Sequence, residues 1–245
     1  MKSSQHIILF LIILLNLFLS LEGEEIRFKH ITINDGLSQN TVNCFYQDSY
    51  GYMWIGTQEG LNKYNGYDYK IFRHEVGNSN SLTHNWIWCV FEDSKNNIWV
   101  GTWDGLSCYS PSSGKFTNYY PDSLNENSIS GSRPIAVCED KHGYIWIGTW
   151  GGGLNRFDPE ASEFTQYSGE ESGNPGLFVR SMYKDEKQNL WIGTWNGLFK
   201  TSLHDTANYK FERYSKETQS YQLSSNKITS ICTDKSGKLW ISTLS

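Results

Sequence analysis

Asp48-Ser49-Tyr50-Gly51-Tyr52-Met53-Trp54-Ile55-Gly56-Thr57-Gln58-Glu59-Gly60-Leu61 is a stretch that this chain repeats. Its core returns as Trp99-Val100-Gly101-Thr102, Trp146-Ile147-Gly148-Thr149 and Trp191-Ile192-Gly193-Thr194, and a fifth time as Trp240-Ile241-Ser242-Thr243. The steps from Trp to Trp are 45, 47, 45 and 49 residues. An Asp stands six residues before each Trp: Asp48, Asp93, Asp140, Asp185 and Asp234. A Gly-Leu pair follows the first four, as Gly60-Leu61, Gly105-Leu106, Gly153-Leu154 and Gly197-Leu198. Further on an aromatic recurs as Phe72, Phe116, Phe164 and Phe211. A period of this size marks an array in which each unit buries its apolar face against its neighbours.

Each unit breaks into short extended pieces. In the first, residues 41–47 are rich in apolar and aromatic side chains. Asp48-Ser49-Tyr50-Gly51 then reads as a turn, because Asp can bond the backbone two residues on and Gly accepts positive φ. A second strand over 52–57 and a short turn at 58–60 follow. A third strand, an Asn65-Gly66 hairpin turn and a fourth strand complete the unit. Four antiparallel strands at this period predict an all-β chain, a β-propeller of four-stranded blades. The blades fall near 41–74, 86–120, 133–168 and 177–215, with a partial fifth over 227–245. No helical periodicity appears beyond the N-terminus, which excludes helical solenoids. The repeated Trp is expected to fill the space between neighbouring sheets, and the Gly two residues later to admit close backbone approach. The repeated Asp residues are expected to form turns on the face opposite the binding loops.

The remaining composition narrows the function classes. Among 245 residues, 38% are hydrophobic and 15% aromatic, and 19% are charged with a net charge of −5. That balance excludes charge-driven disorder, and without a Lys/Arg cluster it argues against a nucleic-acid binder. Residues 7–19 form a greasy run broken only by Asn16, after Lys2 and before the polar turn Ser20-Leu21-Glu22-Gly23. This reads as a signal peptide over 1–23, with an uncleaved membrane anchor as the alternative. The expected location is periplasmic or secreted, with 24–245 as the propeller. The five cysteines Cys44, Cys89, Cys108, Cys138 and Cys232 are odd in number and hold no C-x-x-C pair. They predict small apolar packing residues rather than a metal or redox site, and no cofactor is expected.

The pattern Asp-x-x-Gly-x-x-Trp-Ile-Gly-Thr-x-x-Gly-Leu resembles the two-component regulator propeller repeat. Gly36-Leu37-Ser38-Gln39-Asn40-Thr41-Val42 resembles the lead-in to that repeat. The segment 26–33 looks like the family's first strand, which joins the last blade to close the ring. The resemblance implies the periplasmic sensor of a bacterial hybrid two-component histidine kinase, many of which respond to oligosaccharides from glycan breakdown. Typical members carry two seven-bladed propellers, then a β-sandwich, a membrane helix, a kinase and a receiver. This chain has the propeller repeats without the kinase, so it is expected to be an N-terminal fragment or a truncated reading frame, and not an enzyme.

Strand direction places the turn between the second and third strands on the same face as the loops that join blades. Trp103, Trp150 and Trp195 stand in three of these turns, and Gln58 in the first. Their rings either stack on sugar faces or pack on neighbouring blades. His84, Asn85, Trp86, Arg133 and Arg180 are expected near the central opening, where Arg can bond hydroxyls or a uronic carboxylate. The leading expectation is a non-enzymatic oligosaccharide sensor. A scaffold for protein interaction or homodimerisation is the second class. A glycan-cleaving propeller is the third, and it would need paired carboxylates or a Tyr/His base. Glu59 and Asp104 are single charges on exposed turns. Gly151-Gly152-Gly153 sits between strands with no helix after it, so it is not a phosphate loop.

Overall fold

The structure is a computed structural model that describes residues 28–167, 173–205, 208–218 and 222–244. The signal-peptide segment lies outside the described residues. Residues from Thr32 onward form one compact unit. Its first sheet holds β1 (Val42–Gln47), β2 (Met53–Thr57), β3 (Gly60–Tyr64) and β4 (Tyr69–Phe72). The second holds β5 (Ile87–Glu92), β6 (Ile98–Thr102), β7 (Gly105–Ser110) and β8 (Lys115–Tyr119). The third holds β9 (Pro134–Glu139), β10 (Ile145–Thr149), β11 (Gly153–Asp158) and β12 (Glu163–Tyr167). The fourth holds β13 (Val179–Lys184), β14 (Asn189–Thr194), β15 (Gly197–Ser202) and β16 (Glu212–Tyr214). A fifth, two-stranded sheet pairs β17 (Lys227–Thr233) with β18 (Leu239–Leu244). Every pairing is antiparallel and sequential. The first strands neighbour one another, β1 with β5, β5 with β9, β9 with β13 and β13 with β17. They therefore line the centre of a β-propeller of four complete blades and a partial fifth.

One expectation fails. The segment 26–33 was to supply a ring-closing strand. Ile26 and Arg27 lie outside the described residues, and 28–32 form no strand. Thr32 instead caps a 3-10 turn at Ile33–Asp35: its Oγ1 accepts from the amide of Asn34, while its own amide donates to Asp35 Oδ2. Such a capping box bends the backbone away from the extended form.

Each motif residue has a defined task. Asp48 Oδ1 accepts the amides of Tyr50 and Tyr52, and its Oδ2 accepts the indole N–H of Trp54 at 2.8 Å. The ring is thereby aimed between sheets. Trp54, Trp99 and Trp146 are buried, and they meet Tyr109, Phe157 and Tyr209 of the following unit at 6.0, 5.5 and 4.9 Å. Gly148 is a socket: a Cβ there would lie 2.3 Å from Val179 Cγ1 of the next blade. Ile87 and Ile228 fill the equivalent sockets at Gly56 and Gly193. The Thr of each core closes the next turn, with Thr57, Thr102, Thr149 and Thr194 donating to the carbonyls of Gly60, Gly105, Gly153 and Gly197.

The seams weaken toward the last unit. Trp191 is half-buried, and Trp240 is 55% exposed. At the other flank Phe45 is 74% exposed. All five cysteines are free thiols. Burial pushes the thiols of Cys44, Cys108 and Cys138 up to about 12, and raises that of Cys89 too. Such protonated thiols serve as packing groups.

Candidate functional site

The inner strands share a local irregularity. In each, one extra residue bulges out of register near the end that adjoins the joining loops. The extra residues are Asn43, Trp88, Ile135, Arg180 and Thr229. A bulge re-aims a side chain, and all five of these line one central cavity of about 590 Å³. Arg180 is the charged residue in that lining.

The turns between second and third strands lie on the same side as the joining loops, and those of Trp103 and Trp150 border a hollow that adjoins this cavity. Their position is fixed by backbone bonds: Trp103 donates to the carbonyl of Trp86 and Trp150 to that of Arg133, both at 2.9 Å, and Trp195 to that of Phe178 at 3.2 Å. The neighbouring Gly amides reach across to the next blade, Gly60 to Asn85, Gly105 to Ser132, Gly153 to Leu177 and Gly197 to Asn226. Turn and joining loop are thus held as one rigid rim.

Two aromatic patches result. Trp86, Trp88 and Trp103 lie 5.3 to 5.9 Å apart in every pairing. The Arg133 guanidinium caps Trp103 at 3.8 Å. The second patch joins Trp150 edge-on to Trp195 at 4.5 Å, with Phe178 at 5.2 and 5.5 Å from them. Trp103 and Trp195 remain 36% and 39% exposed, so packing and contact with solvent coexist. Between the patches lies a hollow of about 160 Å³, lined by Trp88, Trp103, Arg133, Ile135, Trp150 and Arg180. It shares Trp88, Ile135 and Arg180 with the central cavity.

The sequence-derived candidates separate into two groups. Trp86, Trp103, Trp150, Trp195, Arg133 and Arg180 come together around the hollow and its rim. His84 and Asn85 are engaged in the joining loop: the Trp86 amide meets His84 Nδ1 at 2.9 Å, and Asn85 Oδ1 accepts the amide of His74 at 2.7 Å. Sequence reasoning missed Trp88 and Phe178. The signal for Trp88 was its slot, which varies from unit to unit as Asn43, Trp88, Ile135, Arg180 and Thr229 while the preceding residue stays apolar. The indole N–H groups of Trp86 and Trp88 are buried without a hydrogen-bond partner, a costly arrangement that concentrates at working sites. Of the two carboxylates on this rim, Glu59 and Asp104, each has its amide bonded to a motif Thr hydroxyl. Among the described residues no group of His, Cys, Asp and Glu is arranged to hold a metal ion.

Comparison with known proteins agrees with this architecture. A sequence model of the family described as "Two component regulator propeller" matches residues 36–59, 81–104, 123–151, 173–196 and 222–245, half of the chain. Histidine kinase P4 of Formosa agariphila is 41% identical over 64 residues, which are 26% of this chain and 5% of that protein. The crystal structure of an extracellular domain of a hybrid two-component system from B. thetaiotaomicron superposes with a TM-score of 0.73 at 25% identity, covering 88% of this chain and 29% of that one. The chain thus spans less than a third of either relative. Virginiamycin B lyase from Staphylococcus aureus, at 13% identity, a TM-score of 0.62 and coverage of 91% and 69%, shares the fold alone. The five matched segments each contain an Asp–Trp unit, so the chain belongs to the two-component regulator propeller family.

Proposed function

We propose that this chain is the ligand-sensing propeller of a hybrid two-component system, lies outside the cytoplasmic membrane, and holds an oligosaccharide on the rim of its central cavity. The observation that carries this reading is the pair of aromatic patches flanking the hollow, with Arg133 and Arg180 between them. Flat rings offer broad apolar faces to the C–H side of a sugar, and guanidinium groups supply several donors for its oxygens. The rim is built from turns bonded to strands, so little ordering cost attends binding. The relatives named as histidine kinase and as an extracellular domain support a sensing role.

Titrating the chain's Trp fluorescence with a panel of oligosaccharides tests this. Trp103→Ala, Trp150→Ala and Trp195→Ala are each expected to weaken binding, by about fivefold. Identical affinities in all three variants would remove the patches from the site. Release of shortened sugars during incubation would move the chain to the enzyme class. The exposed flanks at Phe45 and Trp240 favour a second reading, a scaffold that associates through its outer blades. A sedimentation profile that changes with concentration would support that reading.

A further inference from the structure

We infer that the rim selects an acidic oligosaccharide, one whose sugars carry carboxylate or sulfate groups, over a neutral one. This rests on the sensing reading above and adds the charge of the ligand. The basis is a repeated pairing that spans three seams. Arg133 stands against Trp103 at 3.8 Å, Arg180 against Trp150 at 6.0 Å, and Lys227 against Trp195 at 5.7 Å. In each pair the ring comes from the turn of one blade and the cation from the inner strand, or its first approach, of the next. Ring and cation therefore alternate along the rim.

Glu59 and Asp104 stand on the same rim, but neither is paired with these cations. Among the described residues none of the three forms an ion pair, and the guanidiniums of Arg133 and Arg180 make no side-chain hydrogen bond. The linings of the hollow and the central cavity contain no acidic residue. This occurs in a chain whose net charge is −5. The central cavity below carries Arg180 beside the uncharged polar groups of Asn43, Ser181, Thr229 and Ser230, so the net charge of its lining is positive. An uncompensated guanidinium in such a place gains most from a bidentate anionic partner. The rings fix the sugar faces, and the cations between them read the acid groups.

Binding of the full chain to a galacturonic-acid pentasaccharide, to its methyl ester and to a sulfated oligosaccharide of similar length provides the test, with a single-stranded oligonucleotide as the alternative polyanion. The acidic sugars are expected to bind at least about tenfold more tightly than the ester. The preference is expected to shrink as salt rises. Arg133→Gln and Arg180→Gln are expected to weaken the acidic sugars several-fold more than the ester and so to shrink the preference, and circular dichroism would confirm that both variants fold. The free acid separates a carboxylate source from a sulfate source. Equal affinity for acid and ester would overturn the inference and leave the sensing reading in place. Failure of every sugar to bind would overturn both. Tighter binding of the oligonucleotide than of any sugar would also overturn the inference.

Discussion

The indole Nε1 of Trp146 donates to Asp140 Oδ2 at 2.9 Å, joining a turn on one face of the propeller to the ring that fills the seam between two blades. The same bond links Trp54 to Asp48, Trp99 to Asp93, Trp191 to Asp185 and Trp240 to Asp234, at 2.8 to 3.0 Å. The six-residue spacing in the sequence is the length of this clasp. It orients the seam ring and satisfies a donor that burial would otherwise leave unpaired.

Replacing Asp140 with Ala would strip the acceptor from three N–H groups, those of Trp146, His142 and Tyr144. Asp140 is only 4% exposed and Trp146 is fully buried, so the indole N–H would be left unpaired in the core. The expected loss is about 2–4 kcal/mol, as charge-assisted and buried bonds are removed together. Asp140→Asn, which keeps an acceptor, should lose less. Urea unfolding followed by Trp fluorescence measures both, and an unchanged midpoint for the Ala variant would refute the clasp.

Gly148 is predicted to tolerate no Cβ while Val179 is present, since that atom would lie 2.3 Å from Val179 Cγ1. Gly148→Ala should cost about 1–3 kcal/mol through overpacking. Adding Val179→Ala should recover part of the loss, and a double-mutant cycle would report the coupling. Strictly additive effects would show that knob and socket do not meet.

Gln188 occupies the left-handed position of its Asp turn at φ 58, where the first, third and fifth units place Gly51, Gly143 and Gly237. Its buried Oε1 also lacks a hydrogen-bond partner. Gln188→Gly should therefore raise stability, by about 1 kcal/mol. A lowered unfolding midpoint would contradict this.

Acid should loosen the turns of the last two units. For Asp234, bonds from the Ser236 hydroxyl, the Trp240 indole and the Lys238 amide hold the carboxyl at about 2. For Asp185, burial alone would raise the value. Bonds from Asn189, Trp191 and Lys187 outweigh it and hold the group below its ordinary range. Unfolded Asp titrates near 3.9. A lowered folded value gives stability that is complete above that point and disappears as pH falls through the folded value. Hydrogen-exchange protection at Lys238 and at the Trp240 indole should hold at pH 5 and fall between about pH 4 and pH 2. Loss already at pH 5, or an Asp234 carboxyl that titrates above 4, would contradict the account.

Much of this was legible because packing between repeats demands the same chemistry each time. Trp, Gly, Thr and Asp recur wherever a ring, a socket, a hydroxyl bridge and a clasp recur. Trp103, Trp150 and Trp195 were legible as candidates because no such demand explains them. Trp88 was hidden by the bulge, which breaks the two-residue alternation by which a strand's facing is read. His84 and Asn85 show the opposite problem: polar residues near an opening attract notice, yet their bonds to Trp86 and His74 serve the loop itself. The segment 26–33 is taken for a strand only by its resemblance to the family's first strand, whereas Thr32 and Asp35 form a cap that no hydrophobic pattern reveals.

The central claim concerns which indoles meet the ligand. Nitrogen-15 labelling of Trp, followed by an NMR titration with a bound oligosaccharide, reads each indole N–H separately. The resonances of Trp86, Trp88, Trp103, Trp150 and Trp195 should shift, while those of the clasped Trp54, Trp99 and Trp146 stay fixed. Movement confined to the clasped indoles, or to Trp240 on the open flank, would contradict the account.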